Sequence, residues 1–149
     1  MARQQVTGNI GMYYAAYRLS QRHWNVMPTS RNARGIDLLA YDSTAGRYLG
    51  IQIKTLSKYG AVPLGIKGLD NLLGDWWIIV TGAATDPECF ILKPDEVRKH
   101  AVRDKNGARA YWLPAKEYRR NEFREAWDRI GYGDGPPLES SLAARAIAR

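Results

Sequence analysis

Three residues capable of chemistry stand in two apolar runs. Asp37 lies in "GIDLLAYD", and Gln52 and Lys54 lie two apart in "GIQIKT". An acid, an amide and an amine in strands of this kind cost free energy unless they pair with one another or bind something. A strand alternates its side chains with period two. Gly50, Gln52 and Lys54 therefore leave one face, and Leu49, Ile51 and Ile53 the other. On its own strand Asp37 shares a face with Leu39 and Tyr41. Antiparallel pairing of the two strands would bring Asp37 beside Gln52 and Lys54. The plainer alternatives are structural. Asp37 could be a strand-end acid satisfied by backbone N–H groups or by Arg34, Gln52 an amide that orders the sheet, and Lys54 a surface lysine on an edge strand.

These residues need elements to position them. Gly8 to Gln21 predicts a helix, with Ile10, Tyr13, Tyr14 and Tyr17 at i, i+3, i+4 and i+7. Met12, Ala15, Ala16 and Leu19 fill the adjoining stripe, and Thr7 is the expected N-cap. The tyrosines are either core or a dimer face. "WNVMPT" reads as a short strand closed by Pro28. Ile36 to Asp42 and Tyr48 to Thr55 read as a hairpin whose loop carries Gly46. "WWIIVT" is apolar on both faces and so central, and "CFIL" is a fourth strand. Pro94 opens a helix with Asp95 and Glu96 near its positive end. "RDKNGARAYWL" predicts a hairpin on Asn106 and Gly107. Ala115 to Ile130 reads as a second long helix with Phe123, Ala126, Trp127 and Ile130 as its apolar stripe, ended by Gly131. Its arginines would form a solvated face. "GYGDGPP" is a break, and Leu138 to Arg149 an Ala-rich tail helix. This order predicts an α/β sandwich with a mixed sheet, one domain over residues 1–133 and a tail over 134–149.

Composition narrows the partners. The chain has 149 residues, 45% hydrophobic and 25% charged, which suits one soluble globular domain. The lone Cys89 excludes an internal disulfide, and no Cys/His cluster has zinc spacing. No apolar run nears the roughly 20 residues of a membrane span, and the N-terminus lacks the apolar core of a signal peptide. A cytoplasmic protein without a membrane partner is expected. The net charge of +7 favours an anionic partner, nucleic acid first. His23 and His100 have no partner visible in sequence and read as helix-end residues. The tryptophans read as core.

The helix "GNIGMYYAAYRLSQRHW" and the strands "GIDLLAYD", "GIQIKT" and "WWIIV" together resemble the PD-(D/E)XK nuclease superfamily, in particular its archaeal Holliday-junction-resolvase and restriction-endonuclease-like branch. The resemblance runs from about Gly8 to Val80. It implies a restriction-endonuclease-like sandwich, a mixed central sheet flanked by helices, and metal-dependent hydrolysis of DNA phosphodiesters. By residue, Asp37 would be the strand aspartate, Gln52 would stand at the (D/E) position and Lys54 would be the lysine that serves the attacking water. Asp37, Gln52 and the Ile53 carbonyl would hold magnesium or manganese. The superfamily's frequent homodimers imply a twofold pair. Two departures stand out. Gln52 replaces an acid, and Met12 follows Gly11 where resolvase-like members carry a glutamate. No acid precedes Asp37. Asp75, just before "WWIIV", is the candidate substitute, whereas Asp42 has the wrong parity.

"SRNARG" leads into the Asp37 strand, and Arg31, Asn32 and Arg34, with Lys58 beyond the Lys54 strand, are candidate phosphate contacts. Three functions stay open: a metal-dependent endonuclease, a catalytically inactive relative that binds DNA or dimerises, and a protein-interaction module.

Overall fold

A computed structural model describes residues 2–30, 35–107 and 109–136. Helix α1 (Ala2–Gln21) leads into strands β1 (Asn25–Pro28), β2 (Leu38–Tyr41), β3 (Tyr48–Thr55), β4 (Val62–Gly65), β5 (Trp76–Thr81) and β6 (Glu88–Leu92). Helix α2 (Pro94–His100), strands β7 (Val102–Arg103) and β8 (Tyr111–Leu113), helix α3 (Ala115–Tyr118) and a 3₁₀ turn (Trp127–Arg129) follow.

The main sheet has the order β1-β2-β3-β5-β6. β3 and β5 are parallel and every other neighbour is antiparallel, so the sheet is mixed, as the pattern predicts. Period two sorts the side chains into two cores. Leu38, Ala40, Ile51, Ile53, Trp76, Ile78 and Val80 face α1, where they meet Ala15, Leu19, Trp24 and Trp127. Trp77, Ile79, Phe90 and Leu92 face the other way, toward Val62, Val97, Leu113 and Tyr118. All six residues of β5 are buried, as expected of a central strand.

α1 begins earlier than expected, because Arg3, Gln4 and Gln5 are good helix formers, and Thr7 lies inside it rather than capping it. Its inward edge is Gly11, Ala15 and Leu19, the stripe adjoining the tyrosines. Tyr13 and Tyr17 are 61% and 58% exposed, which excludes them from the core. Gly11 lets the helix lie close on β3. A Cβ there would sit 1.8 Å from Thr55 Oγ1.

A second sheet, β4-β8-β7, covers the far face. The expected hairpin is present as β7 and β8, with a loop wider than a two-residue Asn-Gly turn, since Asp104 N–H still reaches the Ala110 carbonyl at 2.8 Å. β4 escaped the sequence reading because Pro63 masks it. Proline is tolerated there because β4 is an edge strand.

The predicted helix over Ala115 to Ile130 does not form. It stops at Tyr118, and the chain runs instead along the outer edge of β6. Ile91 N–H bonds the Phe123 carbonyl at 2.9 Å, and Glu125 N–H bonds the Cys89 carbonyl at 2.8 Å. β6 is both an edge strand and buried, so its outward N–H and C=O groups need partners more than residues 119–126 need a helix. Glu125, at φ 46°, makes the turn that permits this. The tail-helix expectation over 138–149 lies outside the described residues.

Candidate functional site

The β2–β3 ladder ends at the pair Leu38 and Ile51. Just beyond it, Asp37 N–H still bonds the Ile51 carbonyl at 2.8 Å. The even residues of β3 turn their backbone groups toward β5, as Leu56 N–H does to the Val80 carbonyl, so those of Ile53 turn toward β2. No backbone rung of β2 is there to meet the Ile53 N–H. The Asp37 carboxylate takes that place. Its Oδ2 accepts the Ile53 N–H at 2.7 Å and the Gln52 Nε2–H at 2.8 Å. Asp37, Gln52 and Ile53, the ligand set that the resemblance implies, thus touch one another at a strand end, though Ile53 does so through its N–H and not its carbonyl. These bonds are those of the structural alternative, a strand-end acid satisfied by a backbone N–H and a sheet-ordering amide. They leave the Asp37 Oδ1 and Gln52 Oε1 oxygens without a partner among the described residues.

Lys54 leaves the same face of β3, two residues on. Its Nζ lies 5.5 Å from the centre of the Trp77 ring, a cation–π contact that holds the amine over the second face of the sheet. Sequence spacing cannot reveal Trp77 as this neighbour, because it arises from the parallel β3–β5 register. Lys58 sits exposed in the loop after β3. Arg31, Asn32 and Arg34 lie outside the described residues. Thr29 and Gly35, which bracket them, flank Asp37, and Thr29 N–H bonds the Asp37 carbonyl at 3.0 Å.

The remaining acids do not join the cluster. The Asp75 carboxylate accepts the Gly50 N–H at 2.8 Å, and Ile36 fills the space above Gly50, where a Cβ would meet its Cδ1 at 2.7 Å. Asp42 is buried, as its parity requires, and organises its own loop. It takes the N–H groups of Arg47 and Gly46, the Arg47 guanidinium and the Thr44 hydroxyl. The Arg47 N–H above all, with these other donors, holds its carboxyl down to about 2. Among the described residues no group of three or more His, Cys, Asp or Glu side chains could hold a metal. The donor types at Asp37, Gln52 and Ile53 suit a hard cation, but only one of them carries charge.

The arginines of residues 119–129 are tied into the fold rather than spread over a helix face. Arg119 and Arg124 pair with Glu88, Arg120 with Glu117, and Arg129 with Glu96 and the Ile91 carbonyl. His23 pairs with Asp134 at 2.7 Å and His100 with Glu117 at 2.9 Å, partners that only the fold brings near. One further feature had no sequence signal. A cleft of about 460 Å³ between the start of α1 and the end of β3 is lined by Arg3, Gln4, Thr7, Thr55 and Ser57.

No family model matches the chain, and no curated protein does. Among solved structures, that of a bacterial homing endonuclease is similar to it in fold. The TM-score is 0.55 at 16% identity, over 95% of this chain and 97% of the other. The chain therefore has a nuclease-like α/β sandwich fold. No helix among the described residues is long and apolar enough to cross a membrane.

Proposed function

We propose that this chain engages nucleic acid, DNA first, and that the seam between β2 and β3 is a phosphodiester-hydrolysing centre of the PD-(D/E)XK kind. The observation that carries this reading is the convergence of Asp37 and Gln52, fifteen residues apart, with Lys54 on the same face and with the Asp37 Oδ1 and Gln52 Oε1 oxygens left without a partner among the described residues. The nuclease-like fold and the charge of +7 support it. Magnesium or manganese would be held by Asp37, the Gln52 amide oxygen and the Ile53 carbonyl, and when bound would polarise the phosphate and supply hydroxide. The Lys54 ammonium faces the charge that develops on the phosphate oxygens. Asp37 orients Gln52 and fixes the end of β3, so the ligand set is built into the sheet rather than carried on a loop. The reading includes a homodimer, with the exposed Val6, Tyr13 and Tyr17 of α1 as its face.

A second reading, the same fold binding DNA without cutting it, is favoured by one specific observation. Met12 packs against the first core, so no acid on α1 reaches the cluster from that position, and Asp37 stands as its single carboxylate. Cleavage of plasmid, branched and single-stranded DNA with manganese separates the two. Activity that disappears in Lys54→Ala supports hydrolysis at this seam. Activity that survives in Lys54→Ala removes the mechanism. Binding without cutting, and without heat on magnesium titration, establishes the second reading.

A further inference from the structure

We propose that Tyr59 is a stacking platform for an unpaired base, set just beyond the strand that carries Lys54; this rests on the nucleic-acid reading above. Tyr59 is 70% exposed. Its backbone is nonetheless fastened to the core. The hydroxyl of Tyr118, which is itself fully buried, donates to the Gly60 carbonyl at 2.7 Å and accepts the Gly60 N–H at 3.3 Å. The same loop is tied to the end of β5, where Ala83 N–H reaches the Leu56 carbonyl at 3.3 Å.

One face of the Tyr59 ring is already covered. The guanidinium carbon of Arg119 lies 4.7 Å from its centre and 5.1 Å from the centre of Phe90. Phe90 is buried and meets Tyr118 edge-on at 5.3 Å. Arg119 is held in turn by Glu88 at 3.0 Å and by the Thr81 hydroxyl at 3.4 Å. Planar groups thus succeed one another outward from the core, Phe90, then Arg119, then Tyr59, and the series ends on an exposed ring. A nucleobase is a flat group of the size that would continue it. Stacking there would bury apolar surface on both partners at little entropic cost, because the loop and the ring are already fixed.

The position suits a strand passing the β2–β3 seam. The loop leaves β3 at the end where Lys54 lies, and five residues of chain span at most about 17 Å. Exposed Lys58 adjoins the ring and can meet a phosphate of the same strand. The faces of paired bases are closed inside a duplex, so the ligand class is a single-stranded, gapped or bulged nucleic acid.

The test compares binding of a continuous DNA duplex and of the same duplex with a short single-stranded gap that contains a fluorescent purine analogue. Wild-type protein is expected to bind the gapped form about tenfold more tightly, the size of one base–aromatic stack, and to quench the analogue. Tyr59→Phe should keep both effects. Tyr59→Ala should lose both while its binding to the continuous duplex stays unchanged. Should Tyr59→Ala fail to fold, Tyr59→Leu, apolar but without a ring, answers the same question. Equal preference for the gap in wild type and in the ringless variant overturns the stacking role and leaves the nucleic-acid reading standing. No binding of either DNA by wild type at low salt overturns both.

Discussion

Asp37 does two jobs that can be separated. Its carboxylate completes the ladder by accepting the Ile53 N–H, and it holds Gln52. Ile53 is only 8% exposed, so removing the acceptor leaves an N–H with little access to water. Asp37→Ala is expected to cost about 1–3 kcal/mol in chemical denaturation. Asp37→Asn keeps an oxygen for the same donors and should cost less than about 1 kcal/mol, yet abolish cleavage as fully as the alanine variant. Equal destabilisation by the two would show that charge, not acceptance, matters at this position. Asp42 gives the pH test. Its carboxyl is held at about 2, below the roughly 3.9 of an unfolded chain. A depressed carboxyl contributes stability above the unfolded value, and the contribution is lost as pH falls through the folded one. The stability difference between wild type and Asp42→Asn should therefore shrink between about pH 4 and pH 2 and stay flat above about pH 5. Parity, together with antiparallel pairing of the two strands, made Asp37 and Gln52 legible as neighbours, and parity set Asp42 apart. The contact between Lys54 and Trp77, and the ion pairs of the arginines beyond Arg119, were not legible. They join residues whose nearness depends on strand order rather than on spacing.

Gly11 shows how two elements set the sign of a substitution. In an exposed helix interior, alanine in place of glycine stabilises by about 1 kcal/mol. Here the added carbon would lie 1.8 Å from Thr55 Oγ1 and 2.7 Å from its Cβ. Overpacking of that kind costs about 1–3 kcal/mol, so Gly11→Ala is expected to lower the thermal midpoint. In a Thr55→Gly background the same change should become neutral or stabilising, and a double-mutant cycle reads the reversal directly. The same competition between local preference and neighbour explains where pattern reading failed. Residues 119–126 carry a helical stripe, but the outer edge of β6 claims their backbone groups. In α1 the tyrosine spacing and the adjoining stripe of Met12, Ala15, Ala16 and Leu19 are both periodic, and it is the second that packs inward. Periodicity finds an amphipathic segment reliably. It does not say which of two adjoining stripes turns inward, nor whether a sheet edge stands unpaired nearby.

Charge and connectivity belong to the molecule entire. DNA binding by a chain of net charge +7 is expected to depend steeply on salt. With about four phosphates neutralised, raising salt from about 50 to about 200 mM should weaken the complex roughly 100-fold. A flat response in a fluorescence-anisotropy titration would argue for a partner other than nucleic acid. The mixed sheet and its flanking helix were legible because strand after strand announced itself by apolar runs of the right length. In the second sheet the β7–β8 hairpin was legible from Asn106 and Gly107, but β4 was not, since it is four residues long and carries a proline at its second position. Finally, β5 is buried along its whole length and contributes alternate side chains to both apolar interiors. It is a wall common to two rooms, and neither room can be emptied without taking it down. Loosening on either side exposes residues on which the other side depends, so β5 ties the two halves into one cooperative melting unit, and its amides should be the last to trade their protons with water.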